Sequence, residues 1–227
     1  MSLAEKTRPS SINDMILVDS SRDELQAVGS IIGLDSSRIR AILLTGPSGY
    51  GKTTAARILA KQIFNTQDSN ILRFNLLEIN AADTRGIDSA RQIAEFVSTS
   101  SIFSNKKVVI IDEAQQLTKE AQNCLLKPME DSPNSCVIIC STDPTKLIPT
   151  IRTRCMRVDI VPFNQDNMND ITVISKYLNK ISSKDGSFPT EGLLVEVAKS
   201  YPNSIRSFIN KLELLDAAGI SELNDRA

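Results

Sequence analysis

The sequence predicts a doubly wound α/β domain, a five-stranded parallel sheet flanked by helices, followed by a small all-helical domain. Three observations lead there. Five short apolar runs alternate with segments whose apolar residues recur at helical spacing. The first run leads into a glycine-rich loop that opens a helix. After Pro162 no further strand-like run occurs.

The runs are Ala41–Thr45, Phe74–Ile79, Val108–Ile111, Cys136–Cys140 and the weaker Met156–Val161. Their short, β-branched character suits strands covered on both faces. Between them, helices are predicted over Lys52–Phe64, over Asp88–Val97 behind Gly86, and over Lys119–Met129. Pro128 lacks an N–H and is expected to end or kink the last of these. Beyond the sheet, Asp166–Leu178, Thr190–Lys199 and Ser204–Ala217 read as helices, with breaks at Ser182–Pro189 and Tyr201–Asn203. The expected domains are therefore 1–161 and 162–227.

Composition narrows the chemistry. With 227 residues, 41% hydrophobic and 23% charged, the chain can bury a core and is not of disordered type. A net charge of −1 means that any nucleic-acid contact must come from local clusters. Histidine is absent, which excludes histidine acid–base chemistry and histidine metal ligation. Cys124, Cys136, Cys140 and Cys155 form no C-x-x-C pair. Cys136 and Cys140 read as small core residues, with neither a zinc site nor a disulfide framework, so a reducing interior is expected. The opening MSLAEKTRPSS has no apolar signal region, and no run reaches the roughly 18–20 residues of a membrane helix. A soluble intracellular protein is expected.

Two motifs carry the chemistry. Gly46-Pro47-Ser48-Gly49-Tyr50-Gly51-Lys52-Thr53 fits G-x-x-x-x-G-K-[ST], with Thr54 following, and lies between a strand and a helix as that motif requires. Glycines let backbone N–H groups curl around phosphate oxygens, and the helix N-terminus adds free donors and a favourable dipole. Lys52 offers a charge to the β- and γ-phosphates, and Thr53 offers a hydroxyl to Mg²⁺. The second motif is the strand end Val108–Glu113, which delivers Asp112 as a magnesium ligand and Glu113 as a base for the attacking water. Ser141-Thr142-Asp143-Pro144 reads as a turn, and would lie beside the phosphates if the fourth strand neighbours the first. Arg152, Arg154 and Arg157 cluster at the fifth strand; each reads either as a solvated edge or as a charge for a transition state. Arg206 opens the last helix, where a surface charge is the commoner case.

Taken in order, these residues resemble the AAA+ sliding-clamp loader small subunits, of replication factor C and phage clamp-loader type. Ala4–Pro9 resembles the family's opening Glu-Lys-Tyr-Arg-Pro, with Thr7 in the place of tyrosine. Asn80–Asp88 is similar to Asn-Ala-Ser-Asp-x-Arg-Gly-Ile-Asp, Gln122–Glu130 to Gln-x-x-Leu-x-x-x-Met-Glu, and Thr153-Arg154-Cys155 to Ser-Arg-Cys. Asp112-Glu113-Ala114 matches the Asp-Glu-Ala box.

The resemblance implies a P-loop AAA+ sheet with a helical lid, ATP and Mg²⁺ as cofactors, and ATP hydrolysis. It places Thr142 at sensor 1, Arg154 at an arginine finger acting on a neighbouring subunit, and Arg206 at sensor 2. Arg8 and Pro9 fall near the adenine. Arg85, Arg91 and Lys119 would face DNA, and Gln122 and Lys127 would couple that contact to Glu113. The implied partners are a sliding clamp, primer-template DNA and further loader subunits in a ring or spiral, with no membrane. The family's third, helical collar domain is expected to lie outside this chain. Two other readings stay open: another AAA+ DNA motor, such as a branch-migration helicase or helicase loader, and a nucleotide-dependent assembly subunit that hydrolyses little.

Overall fold

The computed structural model describes residues 8–35, 38–66, 68–83, 86–99, 101, 106–132, 134–162 and 204–217. They fall into two compact units, one spanning residues 23–46 and 52–160, the other 1–22, 47–51 and 161–227.

The larger unit holds a single sheet. Its strands are β1 (Ala41–Thr45), β2 (Leu76–Asn80), β3 (Lys107–Asp112), β4 (Ser135–Ser141) and β5 (Met156–Asp159). Their order is β2-β3-β4-β1-β5, and every neighbouring pair is parallel. The helices are α1 (Asp19–Asp35), α2 (Lys52–Phe64), α3 (Ser69–Asn75), α4 (Ile87–Ser98), α5 (Lys119–Asp131), α6 (Pro149–Arg154) and, in the smaller unit, α7 (Ile205–Ala217). This is the predicted fold class, down to the number and type of strands.

Burial explains the order. β1 and β4 are buried along their whole length, and β3 is buried except at Asp112. On one face Leu43, Val109, Ile111, Val137 and Ile139 meet Ile93 of α4 and Leu125 and Met129 of α5. On the other, α2 lies against β1, β3 and β4 with Ala55, Ala56, Leu59 and Ile63 buried. Each valine, leucine, isoleucine or methionine side chain removed from water contributes about 1.5–3 kcal/mol, and each alanine methyl less. The expectation of two covered faces fails at the margins: β2 and β5 are edge strands with several exposed positions.

The structure differs from the sequence reading at several boundaries, among them the end of the fifth strand, at Asp159 instead of Val161, and by one whole helix. Phe74 and Asn75 end α3 instead of starting β2. Asp68 caps that helix by accepting from the Asn70 N–H at 2.8 Å, and the Asn75 amide donates to the Ile71 carbonyl at 3.0 Å. Pro128 does not end α5, which runs to Asp131. The carbonyl that Pro128 leaves without a helical donor belongs to Cys124, an exposed residue open to water, while the ring itself is buried. Helix α1 was not anticipated: its apolar stripe, Leu25, Val28 and Ile32, is interrupted by Gly29 and Gly33. The expected helices at Asp166–Leu178 and Thr190–Lys199 lie outside the described residues.

Candidate active site

The carboxyl ends of β1, β3 and β4 are adjacent, the edge at which open α/β sheets hold ligands. β1 turns away at Gly46, where φ is 148° and a Cβ would stand 2.3 Å from the Ile160 carbonyl oxygen. No side chain fits there. Lys52 opens α2 with only 5% of its surface exposed, and its ammonium donates to the Gly46 carbonyl at 2.9 Å. The Thr53 hydroxyl donates to Asp112 Oδ2 at 2.6 Å, tying the first turn of α2 to the end of β3. Thr54 is half-buried beside it.

Beyond β3 the chain bends sharply. Glu113 adopts a left-handed conformation, φ 51° and ψ 39°, uncommon for a residue with a side chain, and its N–H donates to Asp112 Oδ1 at 3.0 Å. The 3-10 turn Ala114–Gln116 follows. Its Gln115 side chain donates to Glu113 Oε2 and to the Thr142 hydroxyl, the latter at 2.7 Å. The Gln115 carbonyl oxygen accepts from the Ser141 hydroxyl at 3.1 Å and the Thr142 N–H at 3.2 Å. Because β4 pairs with both β1 and β3, Thr142 meets the condition on which its turn was predicted to matter. Beneath this edge, burial holds the Cys140 thiol well above its ordinary value.

In the smaller unit, Gly49 has φ 81°, and a Cβ on it would fall 2.0 Å from the Ser204 hydroxyl. The Gly49 carbonyl accepts from the Arg206 N–H at 3.3 Å, which ties the start of α7 to the glycine-rich loop. Gly51 is likewise at positive φ, Tyr50 is buried, and Pro47 and Ser48 complete the loop. Arg8 is exposed and Pro9 half-buried. Arg22, which the sequence reading passed over, donates to the carbonyls of Ile12, Asn13, Met15 and Leu17 at 3.3–3.5 Å and so pins that segment.

The remaining candidates lie elsewhere. Arg154 ends α6, pairs with Glu130 of α5 and donates to the Thr150 carbonyl at 3.1 Å. Arg91 faces solvent on α4 with Asp88 at 3.6 Å, and Lys119 is exposed at the start of α5. Gln122 is buried and does not meet Glu113. It donates to the Leu117 and Lys146 carbonyls at 3.1 and 3.2 Å and accepts from the Ile148 N–H at 2.8 Å. Gln115 is the glutamine in contact with Glu113. Its one sequence signal was a polar residue two positions beyond that glutamate. Lys127 is exposed on α5, and Arg85 lies outside the described residues.

The donor set suits a magnesium nucleotide. Mg²⁺ takes one or two protein oxygens and completes its shell with phosphate and water. A hydroxyl and a carboxylate in mutual contact, Thr53 and Asp112, supply that pair. Among the described residues, no group of three or more potential ligands forms a protein-only cage, and no helix is long and apolar enough to cross a membrane.

Residues 34–164 match the family described as DNA polymerase III, delta subunit. The chain is 36% identical over 167 residues to human replication factor C subunit 5, covering 72% of this chain and 47% of that protein. It is 32% identical over 212 residues to the replication factor C small subunit of Methanoculleus marisnigri, covering 92% and 61%. The fold is similar to the Thermotoga maritima RuvB Holliday junction branch migration motor, with a TM-score of 0.75 at 18% identity over 96% of this chain and 69% of that one. Domain III of the Thermotoga maritima replication initiation protein DnaA gives 0.67 at 15% identity over 95% and 92%. The chain spans about half the length of the first curated relatives.

Proposed function

Because the chain belongs to the family described as DNA polymerase III, delta subunit, we propose that it is an ATP-hydrolysing motor subunit of a DNA sliding-clamp loader. ATP binding would grip and open a clamp on primed DNA, and hydrolysis would release it. The observation that carries the reading is the Thr53–Asp112 bond. It brings the first turn after the phosphate loop to the strand end that also presents Glu113, with Thr142 one bond further through Gln115.

Residues 46–53 cradle the phosphates, Lys52 meets their charge, and Thr54 closes the first turn of α2. Thr53 and Asp112 would hold Mg²⁺, whose charge would offset that of the phosphate oxygens. Glu113 accepts a proton from the attacking water and Thr142 contacts the γ-phosphate. Arg206 reaches the nucleotide from the lid, and Arg8 and Pro9 border the adenine. Arg154 serves a neighbouring subunit's ATP. Its ion pair with Glu130 is solvent-exposed, worth about 0.2–1 kcal/mol, so it yields readily to a phosphate. Arg85, Arg91 and Lys119 approach the DNA backbone, where charge and position suffice. Gln122 and Lys127 relay that contact through α5, Gln122 by bracing Leu117 and Lys146. The partners are a sliding clamp, primer-template DNA and other loader subunits, in an intracellular setting. The likeness to RuvB concerns the fold, so it lends no weight to a branch-migration reading.

The test is ATP hydrolysis per subunit against protein concentration, with and without primed DNA and clamp. Glu113→Gln should lower the rate about 100-fold or more while nucleotide still binds. Arg154→Ala should abolish the rise with concentration. A rate indifferent to Glu113→Gln would sink the reading.

A further inference from the structure

Gln115 has no part in the proposed reaction, yet its side chain lies between two groups that do. We propose that Gln115 is a positioning residue that locks the Glu113 carboxylate and the Thr142 hydroxyl into one unit, so that the base and the phosphate-contacting hydroxyl are set together. The proposal rests on the ATPase reading.

Four hydrogen bonds carry it. One amide hydrogen goes to Glu113 Oε2 and the other to Thr142 Oγ1. The carbonyl oxygen takes the Thr142 N–H and the Ser141 hydroxyl. Their chemistry fixes which way the amide points: a carboxylate only accepts and a backbone N–H only donates, so a flipped amide would lose both contacts. The residue is 9% exposed, so water does not replace these bonds cheaply.

The consequences fall on the reacting groups. Thr142 Oγ1 accepts from Gln115, which leaves the hydroxyl's own proton free to be donated to a phosphate oxygen. Glu113 Oε2 is held by Gln115, which leaves Oε1 for water. The backbone turn adds to this: the left-handed Glu113 is followed directly by the 3-10 turn carrying Gln115, so the two side chains reach the β4 edge from one rigid bend. Gln122, engaged with Leu117, Lys146 and Ile148, cannot substitute for it.

The test uses the chain at the concentration giving its highest hydrolysis rate per subunit. Gln115→Met keeps length and bulk but removes the bonds; Gln115→Glu keeps length and polarity but removes both N–H donors. Each should lower kcat at least about 30-fold, while the KM for ATP and the Kd for a non-hydrolysable analogue stay within about threefold. Thr142→Val combined with Gln115→Met should be no slower than the slower single variant, because the two act as a unit. A kcat within about twofold of wild type in Gln115→Glu, or nucleotide affinity falling in step with kcat, would overturn the proposal. Glu113→Gln in the same assay separates the two failures: if it changes nothing, the ATPase reading falls and this proposal with it. If it abolishes turnover while the Gln115 variants keep theirs, only this proposal falls.

Discussion

Two lysines in the larger unit are equally buried, each 5% exposed, and sit at opposite ends of the sheet. Lys52 stands at the carboxyl edge and Lys107 begins β3 at the amino edge. Lys107 is closed off by fixed neutral groups: it donates to the Phe96 carbonyl and the Thr99 hydroxyl and lies 4.5 Å from the Phe96 ring centre. Burial lowers its affinity for the proton. Lys52 instead donates to the carbonyl of the loop that it closes, beside Thr53 and Asp112. Burial alone therefore does not mark a functional cation; the partners do. A cavity of about 260 Å³ makes the same point. It is lined by Val97, Thr99, Lys107, Asp131 and Ser135, at the amino edge, where the Lys107 donors are already turned to Phe96 and Thr99.

The largest effect should come from Lys52→Met. Losing charge-assisted bonds to phosphate costs about 2–3 kcal/mol, or roughly 100-fold in nucleotide Kd by titration. The thermal midpoint without nucleotide should move by no more than about 2 °C, since the aliphatic stem is kept. Lys107→Ala should do the reverse. Loss of a packed four-carbon stem and its bonds should lower unfolding free energy by about 2 kcal/mol in urea, with nucleotide Kd unchanged. A Lys107 variant that binds nucleotide poorly while folding normally would break the comparison.

The contrast also shows what the sequence could disclose. The sheet was legible because Ala41–Thr45, Val108–Ile111 and Cys136–Cys140 are apolar runs too short for helices, separated by helical periodicity. The phosphate loop and the Asp112-Glu113 pair were legible because their chemistry depends on local spacing. Gln115 was not, because its role depends on β4 lying beside β3, and strand order is not written in any one segment. Gln122 was assigned by resemblance to a coupling role toward Glu113; its hydrogen-bond partners are the nearby Leu117 and the more distant Lys146 and Ile148, the last two 24 and 26 residues along the chain. The burial of Lys107 was not legible either, because it depends on Phe96 and Thr99 packing over the start of β3.

A finer test sharpens the comparison, because β4 carries a thiol toward each end of the sheet. Both Cys136 and Cys140 are buried. Burial pushes Cys136 up to about 12 and Cys140 well above its ordinary value. At pH 8 the Cys136 thiol is about one part in 10⁴ ionised, and the raised, buried Cys140 thiol is likewise almost wholly protonated, so alkylation of either must await opening. Cys124 is exposed and should react first, and half-buried Cys155, also pushed up to about 12, slowly. These raised values are also stability: the contribution is whole below a thiol's ordinary value near 9 and is lost as pH climbs toward about 12, so Cys136→Ala should flatten alkaline unfolding in that window. Nucleotide at about 100 times its Kd adds about 2.7 kcal/mol against opening, which should slow labelling of both thiols about 100-fold. Equal slowing, read by mass spectrometry of the labelled peptides, means that the amino and carboxyl edges open together along the unbroken Ser135–Ser141 pairing. Slowing at Cys140 alone would mean that the Lys107 end opens by itself, and that the ligand steadies only the edge where Lys52 stands.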